Sequence, residues 1–280
     1  MWKPECRHAA DRRGVRYPSD LIDAEWGLIA AMIPPARRCG RPRDVNVREV
    51  LNAIFYVLST GCQWKALPKD LPPKSTAHYY FMLWDRDGTL ERIHHALYVA
   101  AREQAGRDAS PTAAIIDSQS GRVAQKGALR LIRKGTPRAR RSRGASSHIL
   151  VDTPGLLLSV SVHSADVQDR DGARDLLRTA RRWFPFIEGI FADAGYQGPK
   201  MAKRVAGTGC WTLQIVKRSD AHRFVVLPKR WIVERTFAWI SRNRRLARDF
   251  ERYARTVAAF VRLAMIRIML ERLTRPGPCS

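Results

Sequence analysis

Three short apolar runs, each closing on an aspartate, constrain this chain more than anything else in it: AAIID (113–117), HILVD (148–152) and EGIFAD (188–193). Runs this short and this rich in Ile, Val and Leu suit buried strands, because a helix needs about ten residues or more to present a periodic face. LLLSVSVH (156–163) follows the second run across a Thr-Pro-Gly turn, so these two read as a β-hairpin, and TLQIVK (212–217) reads as a further strand. ARDLLRTARRWF, between the hairpin and EGIFAD, is helical. The order strand, hairpin, helix, strand, helix, strand, helix predicts an α/β domain with a mixed sheet, a hairpin in front and βα units behind.

The first hundred residues have a different texture. LIDAEWGLIAAMI carries Leu21, Trp26, Leu28, Ile29 and Ile33 at helical spacing, with Ser19 and Asp20 placed as N-caps. VREVLNAIFYVLSTG is a helix stopped by Gly61, STAHYYFMLWDRDG starts from a cap at Ser75, and GTLERIHHALYVAAREQAG is amphipathic. The expectation is an all-helical N-terminal domain over 1–107, with a helix-turn-helix as one arrangement that would bind DNA ends. From Lys229 to about Leu273 the pattern returns to long helix, read as C-terminal helices of a second domain spanning 108–280.

Charge says what such a chain would meet. Its 280 residues hold 50 Lys and Arg against 26 Asp and Glu, a formal charge of +24. The excess grows along the chain: 17 basic and 12 acidic residues over 1–107, 19 and 10 over 108–222, 14 and 4 over the last 58. Nucleic acid is the polyanion that such a distribution suggests. With 45% hydrophobic residues the chain is not a disordered basic tail. The most apolar stretch, AFVRLAMIRIML (259–270), contains two arginines, so no membrane partner is expected. MWKPECRHAADRRG at the N-terminus has no apolar core of a secretory signal. Five cysteines (6, 39, 62, 210, 279) without CxxC spacing exclude a disulfide scaffold and a cysteine-rich zinc site, and point to a reducing cytosol.

Asp117 closes the first run, Asp193 the third, and Glu234 lies in the first turns of the last helical stretch. In open α/β sheets ligands bind outside the carboxyl ends of the strands. Two carboxylates about 4 Å apart repel by roughly 4 kcal/mol at an effective dielectric of 20, so a shared proton, arginines or a divalent ion must offset them. Oxygen ligands suit magnesium or manganese, and a pair of such ions stabilises the attacking and leaving oxygens of an in-line phosphoryl displacement. Arg230 lies one turn before Glu234 and Arg242 two turns after it, with Arg244 and Arg245 extending a basic strip that could grip phosphates. Gln119 and Ser118 follow the first aspartate and are candidate DNA contacts or turn residues. His163, near Asp166, Asp169 and Asp171, is a candidate neighbour of the site or a turn residue; the adjacent His94 and His95 face different ways on a helix. Gly195 and Gly198 suit a tight turn after the strand.

IIDSQS around Asp117, HILVDTPGLLL, FADAGYQG around Asp193 and KRWIVERTFAWISRNRRLARDFERY around Glu234 resemble, in that order, the DDE transposases of the insertion-sequence-5 family (IS4/IS5-type bacterial transposases). GCQWKALPKDLPPKSTAHYYFMLWDRDG resembles that family's helical leader, so the likeness covers nearly the whole chain. The resemblance implies an RNase H-like catalytic core, with Asp117, Asp193 and Glu234 as catalytic and metal-binding triad for two Mg2+ or Mn2+ ions. It implies an enzyme that cuts double-stranded DNA at inverted-repeat ends and joins the 3′ ends to target DNA. It also implies a homo-oligomer on paired ends, at work on the nucleoid in a bacterial cytoplasm. A degenerate transposase that only binds DNA, or a metal-dependent nuclease of the same fold, are the alternatives. At one position the pattern departs: a Lys or Arg is usual seven residues after the glutamate, and here that residue is Ser241, with Arg242 next to it.

Residues 128–147 depart further, holding seven basic residues, no acidic one and no tyrosine. Codons for a Lys-Lys-Ile-Lys-Gly-Arg-Lys run, of the kind the family carries here, read one base out of register as ARRSRGAS, which is residues 139–146. The expectation is a compensated pair of frameshifts that leaves the fold intact and impairs activity.

Overall fold

A computed structural model of the chain describes residues 14–36, 43–120, 145–164, 169–207, 211–215, 230–248 and 250–274. Most of the stretch 128–147 therefore lies outside the described residues. The chain divides into two units, Met1–Arg107 with Leu263–Ser280, and Asp108–Arg262.

The first unit is helical among its described residues. α1 (Asp23–Ile29) runs into a 3-10 turn (Ala30–Met32); α2 (Val47–Thr60), a second 3-10 turn (Trp64–Ala66), α3 (Lys74–Arg86) and α4 (Thr89–Gln104) follow. Asn46 caps α2, its side-chain oxygen accepting from the amides of Arg48 and Glu49 at 3.0 and 3.4 Å. Gly61 ends α2 at φ +70°, the left-handed stop that its sequence announces. Two expected caps are not used. α1 begins at Asp23, because Asp20 instead accepts from the Tyr17 amide at 3.3 Å and pairs with Arg16 at 3.4 Å. α3 begins at Lys74, after Pro73, so Ser75 lies inside the helix. α2 and α3 are separated by residues 61–73, whereas only Asp87 and Gly88 stand between α3 and α4.

The second unit is built on a five-stranded sheet among the described residues: β1 (Ala113–Ser120), β2 (Ala145–Val151), β3 (Leu157–Ser164), β4 (Gly189–Ala192) and β5 (Thr212–Ile215), in the order β3-β2-β1-β4-β5. β2 is antiparallel to both β1 and β3, whereas β4 lies parallel to β1 and β5 parallel to β4. This is the hairpin-plus-βα order that the sequence predicts. α5 (Asp169–Trp183) packs on β2 and β3, burying Ala173, Leu176, Leu177 and Ala180 on one stripe. α6 (Pro199–Gly207) links β4 to β5, and α7 (Arg230–Ser241) packs against β1 and β2.

The helical stretch at the C-terminus is two helices. α7 stops at Ser241 and α8 runs over Ala254–Thr274. The break follows from short polar side chains: the Ser241 hydroxyl donates to the Ala238 carbonyl at 3.0 Å, while the backbone and side-chain amides of Asn243 both donate to Ile240 at 3.1 and 3.2 Å. Residues 263–274 of α8 count with the helical unit rather than with the sheet. Arg267 explains why, donating to Glu25 at 3.4 Å and to the Pro18 carbonyl at 3.2 Å, and lying over the Phe55 ring.

Candidate functional site

Asp117 lies within β1 and not at its end. Along one edge β1 pairs with β2 as far as Ser120, with Asp117 opposite Ile149, so the polar Ser118, Gln119 and Ser120 stay in strand conformation because the hairpin holds them. Along its other edge the parallel ladder with β4 is shorter, running from Ala113↔Gly189 to Ile115↔Phe191. Continuing that register sets Asp117 level with Asp193, the residue after β4. Adjacent strands are about 4.8 Å apart, so that register would set the two residues on neighbouring strands where the ladder ends. Both are half-buried. Each is oriented by a neighbouring amide: the Ser118 N–H donates to Asp117 Oδ1 at 2.7 Å, and the Gly195 N–H to Asp193 Oδ1 at 2.9 Å.

The register also fixes the face. Asp117, Ile149 and Val160 form one row across the sheet, and Val160 and Val162 pack against Ala254, Val257 and Ala258 of α8. The acidic pair therefore shares its face with the start of α8. Glu234 is exposed on α7, the helix laid on β1 and β2. The seat of α7 is narrow: Thr236 Oγ1 donates to the Gly155 carbonyl and Arg235 Nη2 to the Pro154 carbonyl, both at 2.8 Å. Gly155, at φ +85°, permits this approach, since a Cβ there would stand 2.9 Å from Thr236 Oγ1.

On the opposite face, His148 is fully buried and its Nδ1 lies 3.1 Å from the Tyr196 hydroxyl. Tyr196 in turn donates its amide to the Asp193 carbonyl at 3.2 Å, so the turn that carries Asp193 is tied to β2. His163 belongs to this opposite face, edge-on to His148 and 2.8 Å from Ser161 Oγ, rather than beside Asp117. Sequence reasoning passes over His148 and Tyr196 although they stand in HILVD and DAGYQG. The strand alternation that points Ile149 to one face points His148 to the other.

The arginines divide. Arg242 and Arg244 are exposed just beyond α7, so they do not continue its helical face, and Gln119 is exposed on β1. Arg230 opens α7, and its side chain lies outside the described residues. Arg245 corrects the expectation of a DNA contact: it is 8% exposed, its Nη2 and Nε lie 2.5 and 2.6 Å from Glu251 Oε1, and its guanidinium lies over Phe260. It holds the segment after α7 together. Arg235, between Trp231 and Trp239 at 4.5 and 4.8 Å, is a further structural cation, legible in the i, i+4, i+8 spacing of the three residues.

As a donor set, two carboxylates at an open strand edge fit a hard divalent cation such as magnesium or manganese. Among the described residues, no group of three or more His, Cys, Asp or Glu is gathered closely enough to hold an ion, so the arrangement supplies a pair and a glutamate on the adjoining helix. No described helix is long and apolar enough to cross a membrane.

Comparison with known proteins gives two family matches. A model described as "Transposase DDE domain" matches residues 108–269, and one described as "Putative transposase of IS4/5 family" matches residues 21–94. The chain is 30% identical over 150 residues to the "Putative transposase for insertion sequence element IS402" of Burkholderia cepacia, covering 50% of this chain and 69% of that protein. It is 33% identical over 114 residues to the "Insertion element IS402 uncharacterized 16.2 kDa protein" of the same organism, covering 38% of this chain and 76% of that protein.

Proposed function

The chain belongs to the IS4/IS5-type DDE transposases, and on that premise we propose that it binds the inverted-repeat ends of its own element, cleaves them and joins the 3′ ends to target DNA. The observation that carries this reading is the parallel register of β1 with β4, which, continued past Ile115 and Phe191, sets Asp117 level with Asp193. Asp117, Asp193 and Glu234 would hold the divalent ions, which when bound supply Lewis-acid stabilisation of charge on the phosphoryl oxygens. The Ser118 and Gly195 amides keep the two aspartates oriented. Gln119, two residues along β1 from Asp117 and on the same face, is placed to donate to a DNA strand lying over the pair. Arg242 and Arg244, with Arg230, neutralise and position the backbone phosphates. The chemistry is phosphodiester hydrolysis followed by attack of the freed 3′-hydroxyl on a target phosphodiester. It takes place on DNA in the cytoplasm, with the protein as a homo-oligomer on paired ends.

Labelled end DNA incubated with the protein and Mg2+ or Mn2+ tests this. Nicked and strand-joined products are expected from the parent and about 100- to 1,000-fold less from Asp193→Ala, a loss on the scale of one essential electrostatic group. Equal nicking by both proteins would remove Asp193 from the triad, and hydrolysis without joined products would favour a nuclease. One observation supports a second reading, a DNA-binding protein with impaired catalysis: the basic stretch 128–147, whose residues 139–146 match a run read out of register. Translating the coding DNA in the neighbouring frame decides it, since a family-like peptide there is the expected result.

A further inference from the structure

In the helical unit, the 3-10 turn Trp64–Ala66, the following loop and the first residue of α3 enclose a cleft of about 300 Å3, lined by Trp64, Leu67, Pro72 and Pro73 and by three lysines, Lys65, Lys69 and Lys74. All three lysines are exposed, and among the described residues none has an ion-pair partner. The loop's one carboxylate is engaged elsewhere: Asp70 accepts from the Tyr17 hydroxyl at 2.9 Å and lies 3.4 Å from Arg16 Nε. The cleft thus keeps the full charge of its lysines. Its walls are stiff. Leu71 is buried in a cluster with Ala53 and Ala77, against which Trp64 and Leu67 pack, and three prolines fix the backbone between Leu67 and Lys74. Three like charges on a rigid frame repel one another, and a polyanion with regularly spaced charges relieves that repulsion. The cleft is too small to enclose a duplex, and lysines are point charges without the planar fork that reads bases, so it suits backbone phosphates.

We propose that this cleft is where the helical unit seats the phosphate backbone of double-stranded DNA, independently of sequence. The proposal rests on the reading of the chain as a DNA-binding transposase and adds the surface to it. The test uses the full chain and a labelled random-sequence duplex, with affinity followed against salt. Replacing the three lysines (K65Q/K69Q/K74Q) makes the slope of log affinity against log salt shallower by about 2.7, and affinity at low salt falls more than tenfold. The charge-retaining variant K65R/K69R/K74R keeps the parent's slope. R174Q/R181Q/R182Q, which removes the same charge from exposed arginines of α5, changes it by less than one contact's worth, about 0.9. A slope unchanged in the lysine variant, or reduced equally in the α5 variant, overturns the cleft while leaving the transposase reading intact. A parent that binds no duplex overturns DNA binding itself, and the cleft with it.

Discussion

The arginine-paired acids of the helical unit and the two aspartates of the candidate site in the sheet unit are held differently. In the helical unit acids are matched with arginines: Glu25 is fully buried against Arg267, Arg48 lies 2.7 Å from Asp23, and Arg16 lies 2.6 Å from Glu49 and 3.4 Å from both Asp20 and Asp70. In the sheet unit the aspartates of the candidate site each accept from a backbone amide, of Ser118 and of Gly195, uncharged donors that fix direction. An acid neutralised by arginine serves the fold. Two carboxylates set level on adjacent strands would repel one another and favour a cation, which is the premise of the proposed site. In a chain with 50 basic residues, chemistry is to be sought at acids set level with one another rather than at acids matched with arginine.

The largest expected effect tests the structural side of this contrast. Arg267→Met leaves the Glu25 carboxylate buried beside an apolar side chain and should cost about 3–5 kcal/mol of stability, read from the denaturant midpoint. Asp193→Asn, by contrast, should lie within about 1 kcal/mol of the parent or be more stable, since repulsion with Asp117 is removed. Comparable losses from both would dissolve the distinction. Next in size is Gly155→Ala. The sheet unit seats α7 by close backbone approach, and a Cβ at φ +85° would press on Thr236 Oγ1, which cannot turn aside without losing its bond to the Gly155 carbonyl. A loss of about 1–3 kcal/mol is expected in the same assay, and a neutral outcome would show that the α7 seat yields.

The smallest effect concerns pH. Burial lowers the His95 pKa below its ordinary 6.5, with nearby Glu91 opposing the shift. The folded value is the depressed one, so the unfolded chain binds the extra proton first as pH falls. His95 therefore contributes stability that is present above pH 6.5 and lost as pH falls through the folded value. His95→Gln should flatten the decline in stability between about pH 7 and pH 5, measured by denaturation at each pH. An unchanged profile would assign the acid sensitivity to other groups.

The strands were legible because each is a short run bounded by turn residues, and the expectation that Asp117 and Asp193 lie level follows once their order is known. What the sequence hid was decided at a distance. SQS after Asp117 has no strand signal of its own and is extended only because β2 runs beside it. RNRRLAR after Ser241 is rich in good helix formers, yet Ser241 and Asn243 bond the last carbonyls of α7 and end it, which moves Arg242 off the helical face and turns Arg245 inward to Glu251. Ser75 resembles a cap, but Pro73, with its fixed φ, starts the helix first. The His148–Tyr196 bond joins residues 48 apart in sequence, and no local pattern announces it.

The unequal ladders on the two edges of β1 have a consequence in time as well as in space. Past Ile115 the strand is mortared to β2 on one side, while β4 has stopped pairing on the other. Successive amides of a strand point alternately to its two sides, so those of 116–120 fall into two sets. One set is locked into the hairpin, and the other looks out across the opening beside the two aspartates. Hydrogen exchange along this short stretch should beat with a period of two, slow and fast in turn, and the faster amides should slow when DNA lies across the opening.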